Sequence, residues 1–175
     1  MDLFEVVSTR RSIRSYADTP IPEEVLGKIL DAARLAPSGS NRQPTRLIVI
    51  RDKTRMNALV PMCSNQSFIA QAPILVVCVG RNLTNNRGGY MGRFGVLVDT
   101  AIVMDHLTLA ARAEGLGTCW IGAFNYEPIK TFLKIPEDWN VVALSPIGYP
   151  KTQAFKPTEN RIGLSEFIID EQWPD

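Results

Sequence analysis

From Arg93 to Glu114 the chain carries a helical pattern that is apolar on nearly every side, with Ile102, Leu109 and Leu116 at heptad spacing. A helix so sparsely polar has no face to give to water, so it has to be enclosed, in a core or against another subunit. At 175 residues the chain is long enough to supply such a core as one domain, residues 1–175.

The rest of the chain alternates helix and strand signals. Asp2 followed by Glu5 resembles a capping box and opens a short first helix. Pro22 with Glu23 and Glu24 starts an amphipathic helix carrying Leu26, Ile29, Leu30 and Ala33, stopped near Ala36 by Pro37. Strands are expected at 47–50 ("LIVI"), 74–79 ("ILVVCV", apolar enough to be buried on both faces) and 141–147, with "TCWIGAF" as another that leads into a glycine turn. Short helices are expected at 52–60, 67–71 and 127–133, and the polar stretch 81–92 reads as a lid loop. The tail "RIGLSEFIID" has strand-like apolar residues and needs a surface to dock on, such as a second subunit. Together these elements imply a mixed α/β or α+β sheet flanked by helices.

Charge and composition remove several function classes. Nineteen Lys plus Arg against eighteen Asp plus Glu leave a net +1, so there is no global basic field for nucleic acid or an anionic membrane. No apolar run reaches the length of about 20 residues that a membrane span needs, and the first residues, "MDLFEVV", resemble neither a secretory signal nor a transit peptide, so the cytoplasm is the expected compartment. Cys63, Cys78 and Cys119 are widely spaced and read as buried structural thiols. A lone histidine, His106, argues against a zinc site and against Ser/His or Cys/His catalysis. Chemistry in this chain therefore has to come from something other than its side chains.

Two polar stretches stand out against that background. "STRRSIRSY" places Arg10, Arg11 and Arg14 around Ser12 with no acidic residue among them, a plausible grip on a phosphate monoester because guanidinium forks and a hydroxyl give charge-assisted bonds to its oxygens. "PSGSNRQP" carries Asn41 and Gln43, whose amides can read the donor and acceptor edge of a heterocycle. A phosphate grip and ring readers suggest a nucleotide-like cofactor. "GLGTCWIG" imitates a dinucleotide fingerprint, but Gly115 and Gly117 follow a helix and open a strand, so they read as a helix C-cap.

The segments "RRSIRSYADTPIPEEVLGKILDAARLAPSGSNRQPTRLIVI", "AQAPILVVCV", "LTLAARAEGLGTCWIGAF" and "SPIGYP", in this order, resemble the flavin-dependent nitroreductase family over essentially the whole chain. The resemblance implies a nitroreductase-like α+β fold: a central mixed or antiparallel sheet flanked by helices, in an intertwined homodimer with C-terminal arm exchange. It further implies non-covalent FMN at the dimer interface and ping-pong hydride transfer from NAD(P)H through flavin N5 to a small acceptor such as a nitroaromatic or a quinone, with no catalytic side chain.

Residue by residue, the resemblance assigns Arg10 and Ser12 to the FMN phosphate, with Arg11 in the same motif, and Arg14 to the N1 and C2-carbonyl edge of the ring. It assigns Pro37, Ser38, Ser40, Asn41 and Gln43 to the segment that reaches the flavin from the other subunit, and Asn65 to the O2 and N3 side. Gly122 would aim its N–H at N5, with Trp120, Ile121 and Ala123 on the same strand end. Arg161 would meet the phosphate. Departures from the family pattern are Gly39, Thr45, Phe68 and Glu159, the last leaving Lys156 as a substitute cation. Tyr90, Met91, Phe94 and Phe124 are candidates for an acceptor pocket. The alternatives are a non-catalytic FMN carrier or sensor, a divergent activity (enone reduction, dehalogenation, flavin degradation), or a basic-loop module binding nucleic acid or a phosphoprotein.

Overall fold

The structure, a computed structural model, describes residues 1–81, 89–158 and 160–173, and of residues 89–91 and 93 the backbone alone. The order of elements is α1 (Leu3–Thr9), α2 (Glu23–Arg34), β1 (Thr45–Ile50), α3 (Lys53–Leu59), β2 (Ile74–Arg81), α4 (Gly89–Ala113), β3 (Gly117–Thr118), α5 (Tyr126–Phe132), β4 (Trp139–Gly148) and α6 (Leu164–Phe167). Short 3₁₀ turns at Gly39–Asn41, Pro61–Cys63 and Ser67–Ala70 fill the connections.

Local chemistry explains the starts. Asp2 accepts the Glu5 N–H at 2.9 Å and Asp52 accepts that of Arg55 at 2.7 Å, each capping an otherwise orphaned donor of α1 or α3. At the far end of α4, Gly115 takes φ +77, a left-handed conformation that closes the helix as expected.

The four strands form one antiparallel sheet in the order β1-β2-β4-β3. β2 lies in its middle and its side chains alternate between two cores. Leu75, Val77 and Val79 join Met56, Leu59, Phe68, Ile69, Ile121, Ile129 and Leu144 on one face. Ile74 and Val76 join Leu26, Ile29, Ala33, Leu107, Ala111 and Ile147 on the other, and Cys78 packs there with Met104 and Ala143. The run read as buried on both faces is therefore the middle layer of an α/β/α sandwich, an α+β arrangement with α2 and α4 to one side.

Burial also settles the thiols. Cys63, Cys78 and Cys119 are all buried and free, and loss of water pushes the Cys63 thiol up to about 11 and that of Cys78 up to about 12, so both stay neutral and unreactive near pH 7.

Several boundaries and elements differ from the sequence reading. α4 begins at Gly89, so 89–92 are helix rather than lid; the remainder of that loop, 82–88, lies outside the described residues. "TCWIGAF" is not a continuous strand. β3 ends at Thr118, and only Ile121 returns to β4, exchanging backbone bonds with Leu144 at 2.9 and 3.1 Å. Gly117 does not cap α4; it sits in β3, where a Cβ would overlap Ile13 of the arginine segment. Part of the tail read as strand-like, Leu164–Phe167, forms the short helix α6 instead, and none of the tail is in the sheet.

α4 is enclosed on one side only. Met104, Leu107 and Ala111 are fully buried, whereas Leu97 and Val98 remain 46% and 36% exposed. Within Phe94–Ala113, only 28% is buried inside the chain, and by length and composition alone this stretch would suffice to cross a membrane, contrary to the sequence reading. Its packing against α2 and the sheet, with Thr100, Thr108 and Arg112 buried along it, makes it a core helix with one uncovered side.

Candidate functional site

The arginine segment is fixed by a strand-like alternation at the end of the sheet. Ile13 donates its N–H to the Thr118 carbonyl at 2.8 Å, and Ser12 bridges Thr118 in parallel, so the segment runs as an extra edge beside β3. Gly117 permits that approach. Ile13 and Tyr16 point into the core, the Tyr16 hydroxyl donating to the Ile13 carbonyl at 2.6 Å, and burial drives its phenol far above the ordinary range. Ser12 and Arg14, between and beside them, are left facing outward.

The returning C-terminal segment lies along the same edge. Thr158 donates both its N–H (2.8 Å) and its hydroxyl (3.0 Å) to the Ser8 carbonyl, and Arg11 Nη1 donates to the Pro157 carbonyl at 3.4 Å. Between the two segments opens a cavity of about 300 Å³ lined by Arg10, Arg11, Ser12, Thr158, Asn160 and Arg161. The ion pairs among the described residues are Lys28–Glu24, Arg34–Asp31, Arg51–Glu23 and Arg81–Asp138, and none involves an arginine of this cavity. Three guanidinium groups thus line a polar hollow with no carboxylate paired to them among the described residues, an arrangement that fits a phosphate-like dianion. Lys156 is exposed and is not in the lining. Thr158 and Asn160 belong to the lining although nothing in their sequence context marked them.

Beside this cavity lies the end of β3. Cys119 is buried there; burial raises its thiol, while Arg14, a hydrogen bond from Ser12 and Arg10 pull it back down, which places those groups next to the strand end. Trp120 is 43% exposed, Ile121 is pinned to β4, and the space where a Cβ of Gly122 would point holds no atom within 4 Å. The Ala123 carbonyl accepts from Gln66 Nε2 (3.2 Å) and Ser64 Oγ (3.4 Å), and Asn125 donates its N–H to the Met62 carbonyl at 2.7 Å. Asn65 stands exposed between Ser64 and Gln66, in a left-handed turn with φ 57. The fold therefore brings Arg10–Arg14, Asn65, Trp120–Ala123 and Arg161 to one end of the sheet.

Pro37, Ser38, Ser40, Asn41 and Gln43 are not among the residues of that cavity. Their loop is tied to α4, where Asp99 Oδ1 accepts the Gly39 N–H at 2.9 Å. Ser38 Oγ accepts the Gln43 N–H at 2.8 Å, and Gln43 Nε2 reaches both the carbonyl and Oδ1 of Asn41 at 3.3 Å. Ser38 and Gln43 line a different, mostly apolar cleft of about 470 Å³ between α2, β1 and α4, floored by Leu30, Ala33, Leu47, Val49 and Val103. Asp99 was not singled out from the sequence; an acidic residue inside an otherwise apolar helix was the signal available. Of the acceptor-pocket candidates, the side chains of Tyr90 and Met91 lie outside the described residues, and Phe124 packs partly buried against the core.

Fold and site together describe an α+β protein with a cationic cavity and an open backbone edge at one end of its sheet. The nitroreductase family profile matches residues 7–149, and the chain belongs to that family; it is an oxidoreductase. It is 33% identical over 155 residues to a Methanothermobacter thermautotrophicus protein whose name couples NADH dehydrogenase with NAD(P)H nitroreductase, covering 86% of this chain and 78% of that one. It is 30% identical over 173 residues to the FMN reductase [NAD(P)H] of Bacillus subtilis, covering 89% and 68%. The crystal structure of a nitroreductase family protein from Clostridium difficile 630 superposes with a TM-score of 0.87 at 32% identity, over 99% of this chain and 100% of that one.

Proposed function

We propose that this protein is an FMN-dependent NAD(P)H oxidoreductase, working as a cytoplasmic homodimer, that reduces small acceptors such as nitroaromatics or quinones by a ping-pong exchange. The observation that carries the reading is the cavity of Arg10, Arg11, Ser12 and Arg161, built from both ends of the chain and, among the described residues, lacking a paired carboxylate. The names of the Methanothermobacter and Bacillus relatives support the nicotinamide donor, and that of the Bacillus relative the flavin.

The residues present fit FMN. Arg10, Arg11 and Arg161 would hold its phosphate with Ser12 as a compact donor, and the open space before Gly122 leaves room for a flat ring against backbone. When bound, FMN supplies the two-electron chemistry, accepting hydride from NAD(P)H and delivering it to the acceptor. The chain's own work is orientation and electrostatics. Gly122 presents backbone without side-chain bulk, exposed Trp120 flanks it, and Arg14 beside Cys119 adds a cation where negative charge on the ring is to be stabilised.

Dimerisation accounts for what one chain leaves open. Leu97 and Val98 on α4, Leu3, Phe4 and Val7 on α1, and Leu164, Phe167 and Ile168 around α6 are all exposed. A second copy would cover them and carry its Pro37–Gln43 loop to the flavin. Exchange of the C-terminal arm would bury the apolar face of α6.

Visible absorption of the purified protein, before and after anaerobic NADH or NADPH, tests the proposal. Flavin absorbance that bleaches with either donor is the expected result. A yellow protein that neither donor bleaches would turn the assignment to a flavin carrier, and a colourless one that FMN cannot reconstitute would overturn the reading altogether.

A further inference from the structure

Arg112, in the last turn of α4, is only 6% exposed, and it takes part in none of the ion pairs among the described residues. Burying a guanidinium without a carboxylate is costly unless other groups answer its donors. Two do so in part: Nε donates to Thr9 Oγ1 at 2.9 Å, and the guanidinium carbon lies 4.1 Å from the centroid of the Phe155 ring.

The two partners come from the two walls of the cationic cavity. Thr9 leads directly into Arg10, Arg11 and Ser12, and Phe155 leads through Pro157 into Thr158, Asn160 and Arg161. Among the described residues, Thr158 on the Ser8 carbonyl and the long Arg11 bond to the Pro157 carbonyl also hold the walls together. Arg112 is the tie that reaches both from the rigid end of a 25-residue helix, and it brings a full positive charge to the base of the walls.

We infer that Arg112 is a positioning residue for a phosphate monoester: it clamps the N-terminal and C-terminal walls of the cavity together and sets a buried cation behind them, so that the site selects phosphorylated flavin over flavin without phosphate. This inference rests on the FMN reading above and adds the residue that enforces its phosphate requirement. An arginine that merely held the tail in place would support both flavins alike.

FMN and riboflavin, which differ by that phosphate, separate the two roles. Apo-protein is titrated with each by quenching of flavin fluorescence, for wild type, Arg112→Met, Arg112→Lys and Thr9→Val. Wild type should prefer FMN, and Arg112→Met should lower FMN affinity by about tenfold while changing riboflavin affinity less than about twofold. Arg112→Lys, which keeps the charge and loses the fork, should recover part of the preference. Thr9→Val removes the hydroxyl, which accepts from Arg112 and donates to the Glu5 carbonyl within α1, and leaves the guanidinium in place, so it decides the matter should Arg112→Met fail to fold; it should lower the FMN preference in the same direction. Equal losses for both flavins, or an unchanged preference in Arg112→Met and in Thr9→Val, would overturn the role. A wild-type protein that binds neither flavin, or binds both equally, would overturn the phosphate reading itself.

Discussion

The two ends of the proposed flavin site are built by opposite means. The phosphate end, Arg10–Ser12 with Thr158–Arg161, is made of charge: three arginines set on an edge whose backbone is paired to Thr118 and to Ser8. The ring-reading loop is made of conformation. Ser40, Asn41 and Gln43 all take positive φ, at 54, 53 and 50, a region that non-glycine residues enter at a cost. Asp99 and the Ser38 hydroxyl answer that cost by satisfying the Gly39 and Gln43 N–H groups. The phosphate end has one such residue in its lining, Asn160 at φ 61. A phosphate needs cations near it and tolerates small displacements, whereas amides that read a ring edge must be aimed, so the left-handed residues are concentrated in the loop.

The comparison can be broken most strongly at the charged end. Replacing Arg10 and Arg161 together by Ala should weaken FMN binding by about a hundredfold, from two lost charge-assisted contacts, and leave the melting temperature close to wild type. FMN titration of that variant with affinity retained would mean that the phosphate lies elsewhere.

Smaller in effect, but sharper in meaning, is Gly122→Val at the ring end. None of the described residues occupies the space a Cβ would enter, so folding should be unaffected. FMN affinity or the rate of flavin reduction by NAD(P)H should nevertheless fall by about tenfold or more, because backbone and ring are meant to approach there. Stopped-flow traces identical to wild type would remove Gly122 from the site.

The mildest expected change tests the loop. Asp99→Ala should release the Gly39 N–H and reduce FMN affinity several-fold, about 1 kcal/mol, whereas Asp99→Asn keeps an acceptor oxygen at the same place and should restore most of it. If the two variants behave alike, the carboxylate does not aim the loop through that bond.

Much of the molecule was readable beforehand where the signal is local. Asp2 reads as a helix cap because a short carboxylate can hold a donor three residues on, and it does so; Asp52, read only as the start of a helix, caps α3 in the same way. "ILVVCV" reads as doubly buried because no polar residue interrupts it, and its alternate residues do divide between two cores. "TCWIGAF" and "RIGLSEFIID" failed for one reason: strand propensity becomes a strand only beside an edge that can pair with it, and among the described residues β4 pairs with the first stretch at Thr118 and Ile121 alone. Gly117 was misread because its need for a bare α-carbon comes from Ile13, about a hundred residues away in sequence. The arginine cluster and the polar loop were visible as motifs. Their separation within one chain was implied by the family resemblance alone, not by the residues.

The sequence by itself determined that a charge-rich segment without acidic partners would need an anion, and that an apolar helix would need cover on more sides than a small sheet offers, since both follow from residue type and spacing alone. Only the tertiary structure decided that the tail returns to complete the arginine cavity, that Arg112 meets both Thr9 and Phe155, and that Asp99 meets the Gly39 N–H, each from within a single helix. These are meetings between residues 43 to 150 positions apart, and such meetings depend on how packed layers bring distant chain together, which no local pattern encodes.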